Sequence, residues 1–332
     1  MKLELISSQF VFDNIKNRPF SHCASIFETK RGDILVTWYS GSYETSPDQA
    51  ILISRFDGKS WSKPEIVVDT PEKADGNPII FEWRDKLYLF YVTIEGGGLP
   101  PEIGKNFVSF LQKGEVKGAW DTCSIKYKIS KDEGKTFGEE VIFRKEWGWM
   151  IRNRPIILSN RELLFPFYDE REWKVFFGIT EKDFDSFKFF GDLRTPKGCI
   201  HPVVVEKENG NLVCFLRTRD GFIYKSVSKD FGRTWEEPQK TCLKNPNSGI
   251  DLLKLRNGYY LLAYNDSSYM RSPLSLAISK DLESWEKILD VEKEPYEFSY
   301  PNLLEDKNGN IHLVYTWKRT HIKYCIFRLM EV

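Results

Sequence analysis

Short segments of alternating apolar and polar residues recur along this chain, and each follows a turn-forming residue. A period of two is typical of a β-strand with one buried face. Six of these segments share one phrase, in which a small polar turn precedes an apolar run. They occupy residues 32–36, 85–89, 161–165, 210–214, 257–261 and 308–312. Their starts lie 47 to 53 residues apart, except for one interval of 76 residues.

A repeat of this length that contains only strand signals predicts one four-stranded propeller blade per repeat. The sequence therefore predicts an all-β fold, a six-bladed β-propeller formed by a single domain over residues 1–332. The sixth repeat lacks an outer strand, and residues 3–12 belong to no repeat. We expect this N-terminal strand to close the last blade. The longer interval predicts an insertion in blade two over residues 94–120, with aromatic residues that could roof a binding site.

A second signature follows five of the six repeated strands. Its full form occupies residues 130–137 and 228–235, with the sequences SKDEGKTF and SKDFGRTW. In such a turn Asp accepts hydrogen bonds from nearby amides, Gly adopts a positive φ, and the final aromatic residue packs between blades. We therefore expect Asp132 and Asp230 to be structural residues rather than calcium ligands.

The charge balance and the cysteines narrow the range of partners. The chain has 48 basic and 48 acidic residues, which argues against a nucleic-acid partner. We expect no membrane partner and a cytoplasmic location, because the N-terminal residues lack secretory-signal features and no segment is long and apolar enough to span a membrane. The six cysteines are scattered, so we expect buried free thiols and neither a metal nor an organic cofactor. The sequence leaves the oligomeric state open.

Polar residues collect where a propeller would place its mouth. In a four-stranded blade, the start of the innermost strand and the end of the second strand lie on one face near the axis. The residues predicted there are His22, Arg154, His201, Asn247, Asp251, Tyr300, Arg217, Arg219, Trp317 and Arg319. Arginine suits bidentate recognition of an acidic group, and aromatic rings suit the apolar face of a sugar. We therefore predict a site for an acidic carbohydrate.

Several motifs resemble those of the sialidase superfamily, in its branch of BNR-repeat-like proteins with Asp-box turns. They are the two full Asp turns and the segments SHCAS at 21–25, NPNSGID at 245–251, SYP at 299–301 and YTWKR at 315–319. The resemblance implies a six-bladed propeller whose arginines hold a substrate carboxylate. Arg217 and Arg271 resemble the second and third of these arginines. Tyr300 resembles the nucleophile, and Asp48 resembles the acid/base residue.

Two positions depart from that pattern. His22 stands where the first arginine would open blade one, and His201 stands where the glutamate partner of the tyrosine would open blade four. Histidine titrates near neutrality, so His22 is a candidate general acid or base and His201 a candidate base for Tyr300. Asp251 adds a carboxylate that the pattern lacks. Asp48 or Asp251, together with His22, could flank a scissile glycosidic bond.

Three functions fit these residues. The leading hypothesis is a sialidase-like glycosidase that removes a terminal sialic or uronic acid from a glycan. The second is a polysaccharide lyase, in which arginines neutralise a uronate while His22 or a tyrosine removes the adjacent proton. The third is a propeller that binds carbohydrate without catalysis, which the missing glutamate favours.

Overall fold

The computed structural model describes residues 1–96 and 119–330, which form β-strands in six antiparallel sheets and one short 3-10 helix. The sheets make a six-bladed β-propeller, and the fold prediction is confirmed. Each of the six repeated segments lies in or borders the second strand of its blade.

The strands of the first three blades follow the chain order. Blade one contains β2 (Phe20–Glu28), β3 (Ile34–Gly41), β4 (Ala50–Phe56) and β5 (Glu65–Val68). Blade two contains β6 (Asp75–Trp83), β7 (Lys86–Ile94), β8 (Cys123–Ser130) and β9 (Val141–Arg144), and the 3-10 helix Trp120–Thr122 precedes β8. Blade three contains β10 (Trp149–Met150), β11 (Ile156–Ile157), β12 (Leu163–Asp169), β13 (Lys174–Thr180) and β14 (Lys188–Leu193).

Blades four and five repeat this arrangement, whereas blade six includes the N-terminal strand. Blade four contains β15 (Cys199–Glu208), β16 (Asn211–Thr218), β17 (Phe222–Ser228) and β18 (Gln239–Lys244). Blade five contains β19 (Asp251–Lys254), β20 (Tyr260–Asn265), β21 (Leu274–Ser279) and β22 (Glu286–Glu292). Blade six contains β23 (Phe298–Glu305), β24 (Asn310–Trp317), β25 (His321–Met330) and β1 (Lys2–Phe10).

The sixth sheet confirms the predicted closure. Its strand order is β1-β25-β24-β23, so the N-terminal strand supplies the outermost strand of the last blade. Most of the predicted insertion, residues 97–118, lies outside the described residues. At its C-terminal end the ring of Trp120 lies 5.9 Å from that of Tyr39.

The described chain divides into two compact units. One comprises Met1–Ser7, Arg152–Leu313 and Ile326–Val332, and we call it the R152 unit. The other comprises Ser8–Ile151 and Val314–Cys325, and we call it the H22 unit. Each unit is described below by itself, and the single domain over residues 1–332 stays a prediction.

The Asp turns have the predicted structural role. In the R152 unit, the carboxylate of Asp230 accepts hydrogen bonds from the amides of Arg233 and Thr234 and from the Thr234 hydroxyl, at 2.7–3.0 Å. Gly232 has a φ of 83°, a value that glycine adopts without strain. The ring of Trp235 stacks on that of Phe177 in β13, with 4.2 Å between centroids. The turn therefore fixes an aromatic residue between blades four and three.

Substitution of Asp230 should destabilise this turn. We expect Asp230→Ala to lower the free energy of unfolding by about 2 kcal/mol, because several donors lose a charged acceptor. Asp230→Asn should lose about half as much. Asp192→Ala, which breaks an exposed ion pair with Arg194, is the control and should change stability by less than about 1 kcal/mol. Denaturant unfolding measures all three, and equal losses for Asp230→Ala and Asp192→Ala would contradict the structural role.

Backbone irregularities recur near the starts of the inner strands. The pairing of β2, β6 and β15 with their neighbours shifts register immediately after His22, Gly76 and Ile200. The residues with positive φ there are Cys23 (63°), Asn77 (47°), His201 (51°) and, in β23, Tyr300 (53°). Proline follows three of them, and its missing N–H suits a bulge. Strained conformations of this kind cluster at functional sites.

A buried carboxyl group lies at the start of β6 in the H22 unit. Asp75 is fully buried and accepts hydrogen bonds from Thr70 and Thr93 at 2.6–2.9 Å. Burial raises the pKa of Asp75 to about 6, although these hydrogen bonds and the charge of Lys126 lower it. The group therefore contributes stability that is fully present below its ordinary pKa and is lost as pH rises through about 6.

Replacement of Asp75 should remove this pH dependence. We expect the difference in unfolding free energy between the wild type and Asp75→Asn to fall by about 3 kcal/mol between about pH 3.5 and about pH 7.5. Denaturant unfolding of both proteins across this range measures it, and the other carboxyl groups cancel in the difference. A difference that does not change with pH would contradict the raised pKa.

Five of the six cysteines are buried free thiols, as expected, whereas Cys242 is exposed. No helix in the described part of the chain has the length and apolar character needed to cross a membrane. Within residues 1–96 and 119–330, no group of three or more His, Cys, Asp or Glu side chains could hold a metal ion.

Candidate functional site

Tyr300 is the centre of a polar group in the R152 unit. Its side chain follows the positive-φ bend in β23, and its hydroxyl oxygen accepts a hydrogen bond from Arg217 Nη1 at 2.9 Å. Arg217 lies at the end of β16 and is 6% exposed. Its Nε also donates to Asn247 Oδ1 at 2.7 Å. The predicted nucleophile and the predicted second arginine are therefore in direct contact.

Asn247 connects the two predicted carboxylate-binding arginines. Its side-chain oxygen accepts from Arg217, and its backbone oxygen accepts from Arg271 Nη2 at 3.3 Å. The turn that contains Asn247 is closed by Asn245 and Ser248, whose reciprocal hydrogen bonds measure 2.9 and 3.0 Å. The turn-forming residues before Asp251 thus fix the spacing of Arg217 and Arg271.

Arg271 has an acidic partner that the sequence interpretation missed. Its Nη1 donates to Glu297 Oε1 at 2.8 Å, and the Ser299 hydroxyl donates to the same oxygen at 2.7 Å. The guanidinium carbon lies 5.5 Å from the centroid of the Tyr300 ring. Glu297 precedes Tyr300 by three residues, which was the available signal, and its side chain contacts Arg271.

His201 lies beside the tyrosine and the arginine. Its ring centroid is 5.5 Å from that of Tyr300, and its Nδ1 lies 3.2 Å from Arg217 Nη1. A guanidinium has no acceptor, so Nδ1 must accept this hydrogen bond and the ring proton must reside on Nε2. The ring is 3% exposed. His201 therefore orients Arg217 with a neutral imidazole.

Arg154 and Asp251 form a pair separate from this group. Arg154 Nη2 lies 3.3 Å from Asp251 Oδ2, and the same oxygen accepts from Asn302 Nδ2 and the Leu303 amide at 2.9 and 2.7 Å. Asp251 is completely buried. Its carboxylate is saturated with protein donors and does not reach solvent, so we leave it out of the proposed catalytic set. The contacts of Arg154 are likewise those of a structural residue.

Arg219 was predicted to belong to the site but does not contact Tyr300, whereas Arg152 was not predicted but lies near the Tyr300 ring. Arg219 stacks on Trp173, with its guanidinium carbon 3.2 Å from the ring centroid, and is not among the contacts of Tyr300. Burial lowers its pKa from the ordinary value, and the charge of Arg217 acts in the same direction. Arg152, which no motif indicated, has its guanidinium carbon 5.3 Å from the centroid of the Tyr300 ring.

His22 and Asp48 belong to the H22 unit and have different surroundings. His22 is 1% exposed, and its ring packs against Tyr39 at 5.6 Å and Phe20 at 6.0 Å between centroids. A ring enclosed in this way has the environment of a core residue. Asp48 is partly exposed, and its carboxylate accepts from the Ser42 amide and hydroxyl at 3.1 and 2.8 Å.

The carboxyl group of Asp48 is held in its ionised form. Burial raises its pKa, but hydrogen bonds from Ser46 and Ser42 and the charge of Arg18 outweigh burial, so the pKa lies below its ordinary value. A general acid requires the opposite shift. These surroundings suit Asp48 as a base or as a fixed negative charge.

Arg319 and Trp317 complete the predicted residues of the H22 unit. Arg319 donates to Glu44, which lies in the loop after β3. The ring of Trp317 packs edge-on against Phe10 at 5.1 Å, with the Lys318 ammonium 4.3 Å from its centroid. The convergence of both sets of residues on one mouth stays a prediction.

The six sheets and the repeated Asp turns define a sialidase-like propeller, and comparison with known proteins agrees. The family model of the BNR repeat-like domain matches residues 32–313, and the chain belongs to this family. Comparison with curated proteins found no sequence match.

Solved structures share the fold at low sequence identity. A protein of unknown function from Dyadobacter fermentans is 16% identical with a TM-score of 0.78, and 99% of each chain is covered. The NanB sialidase of Streptococcus pneumoniae is 14% identical with a TM-score of 0.76, covering 97% of this chain and 70% of that one. Trypanosoma rangeli sialidase, solved as a covalent intermediate with 2,3-difluorosialic acid, is 15% identical with a TM-score of 0.74, covering 98% and 58%.

Proposed function

We propose that this protein is a glycoside hydrolase that removes a terminal acidic sugar, of the sialic or uronic acid type, from a glycan. The observation that carries the proposal is the contact between Arg217 and the Tyr300 hydroxyl, with Arg271 beside the same ring. Guanidinium groups suit a sugar carboxylate, and a positioned phenol suits attack on the anomeric carbon. Membership of the BNR repeat-like family supports this combination.

The proposed reaction has two steps. Tyr300 Oη forms a bond to the anomeric carbon as the bond to the leaving-group oxygen breaks, and the phenolic proton passes through water to that oxygen. Water then attacks the same carbon, the bond to Tyr300 breaks, and a proton released by the attacking water returns to the phenol oxygen. Two displacements retain the anomeric configuration. Arg217 remains hydrogen-bonded to Oη, and Arg271 is the second guanidinium available to the sugar carboxylate.

Asp48 keeps the acid/base role that the family resemblance implies as an expectation. Its ionised carboxylate is chemically suited to the base part of that role, which is to accept a proton. His22 and Asp251 receive no catalytic role in this proposal because both are buried.

Aryl glycosides test the proposal directly, because an aryl leaving group departs without protonation. We expect fluorescence release from the 4-methylumbelliferyl glycoside of N-acetylneuraminic acid or of glucuronic acid, and none from the galactoside. Treatment with 2,3-difluorosialic acid should add one sugar mass to the Tyr300 peptide if the sialoside is the substrate. Binding of the free acids without turnover of either acidic glycoside would instead indicate a carbohydrate-binding propeller.

A further inference from the structure

Arg152 lies behind Tyr300, in a position that no sequence motif indicated. It is 2% exposed, and its Nη2 donates to the backbone oxygens of Tyr300 at 3.2 Å and Pro301 at 3.5 Å. Its guanidinium carbon is 5.3 Å from the centroid of the Tyr300 ring, which is within the range of a cation–π interaction. Arg152 therefore holds both the backbone bend and the ring of the proposed nucleophile.

The charge of Arg152 is not compensated by the protein. Among the described residues, no carboxylate forms an ion pair with it, and its Nε and Nη1 have no hydrogen-bond partner although both are buried. Arg154, two residues further along, is paired with Asp251, and Arg271 is paired with Glu297. A buried charge without an opposite charge is strongly unfavourable. The contrast between these arginines requires an explanation.

Arg217 shares this property. It is 6% exposed, its hydrogen-bond partners are neutral groups, and it forms no ion pair with a carboxylate of the described chain. Its guanidinium carbon lies 5.8 Å from the centroid of the same Tyr300 ring. The buried guanidinium groups of Arg152 and Arg217 thus both adjoin the Tyr300 ring, and neither has an acidic partner among the described residues. A bound anion would supply the negative charge that balances them.

We infer that Arg152 is a positioning residue whose uncompensated charge, together with that of Arg217, makes the Tyr300 site bind an oxyanion such as a carboxylate or sulfate. The inference rests on the proposed function, in which that anion is the carboxylate of the sugar. Arg152 acts on the anion through Tyr300 and through its charge, because its own free nitrogens are enclosed.

Three substitutions separate the charge of Arg152 from its hydrogen bonds. Arg152→Lys keeps the positive charge and an N–H donor. Arg152→Gln keeps an N–H donor to the carbonyl oxygens but has no charge. Arg152→Met keeps only the apolar part of the side chain. Arg256→Met is the control, because it removes one positive charge of the same unit that is exposed and lies near Glu305.

Calorimetric titration of the full chain with N-acetylneuraminic acid, inorganic sulfate and neutral N-acetylglucosamine tests the inference at low ionic strength. We expect Gln and Met at position 152 to weaken binding of both anions about tenfold or more, and Lys to weaken it less than about threefold. Arg256→Met should bind as the wild type does. The neutral sugar should show no dependence on residue 152.

Two results would overturn the inference. One is equal anion affinity for Arg152→Gln and the wild type, which would leave only a structural role for the hydrogen bonds to Tyr300 and Pro301. The other is failure of the wild type to bind either anion at millimolar concentration. Circular dichroism identifies any variant that does not fold. If Arg152→Met does not fold, the comparison of Arg152→Lys with Arg152→Gln still tests the inference. A separate result would contradict only the proposed function. In that case anion binding would depend on Arg152, but the protein would turn over no acidic glycoside.

Discussion

Tyr300→Phe is expected to lower kcat for an acidic aryl glycoside by at least about 10³-fold, because the variant lacks the oxygen that attacks the anomeric carbon. Phenylalanine keeps the ring against which Arg152 and Arg271 lie, so the surroundings should change little. We expect KM to change much less than kcat. Steady-state kinetics with the 4-methylumbelliferyl substrate, supported by intact-mass analysis after treatment with 2,3-difluorosialic acid, measures the loss.

The matched control is Tyr224→Phe in the same unit. Its hydroxyl donates to Asp220 Oδ2 at 2.9 Å and has no contact with the Tyr300 group, so turnover should stay within about twofold of the wild type. A tenfold or smaller loss in Tyr300→Phe, or a difluorosialic acid adduct on another residue, would exclude Tyr300 as the nucleophile. The chemistry would then belong to a different group of this chain.

The fold could be predicted because its signals are local and repeated. The period-two alternation at residues 34–36, 87–89 and 163–165 marks β3, β7 and β12, each with both its turn and its strand in one short segment. The incomplete sixth repeat also predicted the pairing of β1 with β25. The last blade lacked an outer strand, the N-terminal strand belonged to no repeat, and their pairing covers an edge that would otherwise be exposed. The Asp turns could be predicted for the same reason, since Asp, Gly and Thr interact within a few residues.

The candidate site was predicted less completely, because the direction of a side chain depends on the register. A bulge adds one residue to a strand and transfers every following side chain to the other face. Such shifts occur immediately after His22 and Ile200, and the residues at 23, 201 and 300 have positive φ. Strand alternation therefore could not show that His22 would be buried while Tyr300 contacts Arg217.

Arg152 and Arg154 illustrate the same difficulty. Both precede the short strand β11 by a few residues, and the sequence analysis named only Arg154, at the predicted start of the inner strand. The partners of these two arginines lie far away in the sequence. Arg154 meets Asp251, whereas Arg152 meets the carbonyl oxygens of residues 300 and 301, which are 148 and 149 positions away. Pairings of this kind carry no local signal.

The second large effect is expected for Asp251, and it concerns stability rather than catalysis. Asp251→Ala should lower the free energy of unfolding by about 3–5 kcal/mol, because it leaves the guanidinium of Arg154 without its counter-charge. The Leu303 amide and the side-chain amide of Asn302 lose their acceptor at the same time. Denaturant unfolding followed by tryptophan fluorescence measures the loss.

Glu236→Ala is the control for this substitution, because its ion pair with Lys229 is exposed and should contribute less than about 1 kcal/mol. The two possible roles of Asp251 predict opposite results. A structural ion pair predicts a large loss of stability that Arg154→Met reproduces, since each variant leaves one charge of the same pair unmatched. A catalytic acid predicts nearly unchanged stability and a large loss of kcat in Asp251→Ala, and that result would restore Asp251 to the catalytic set. The complete burial of its carboxylate favours the first outcome.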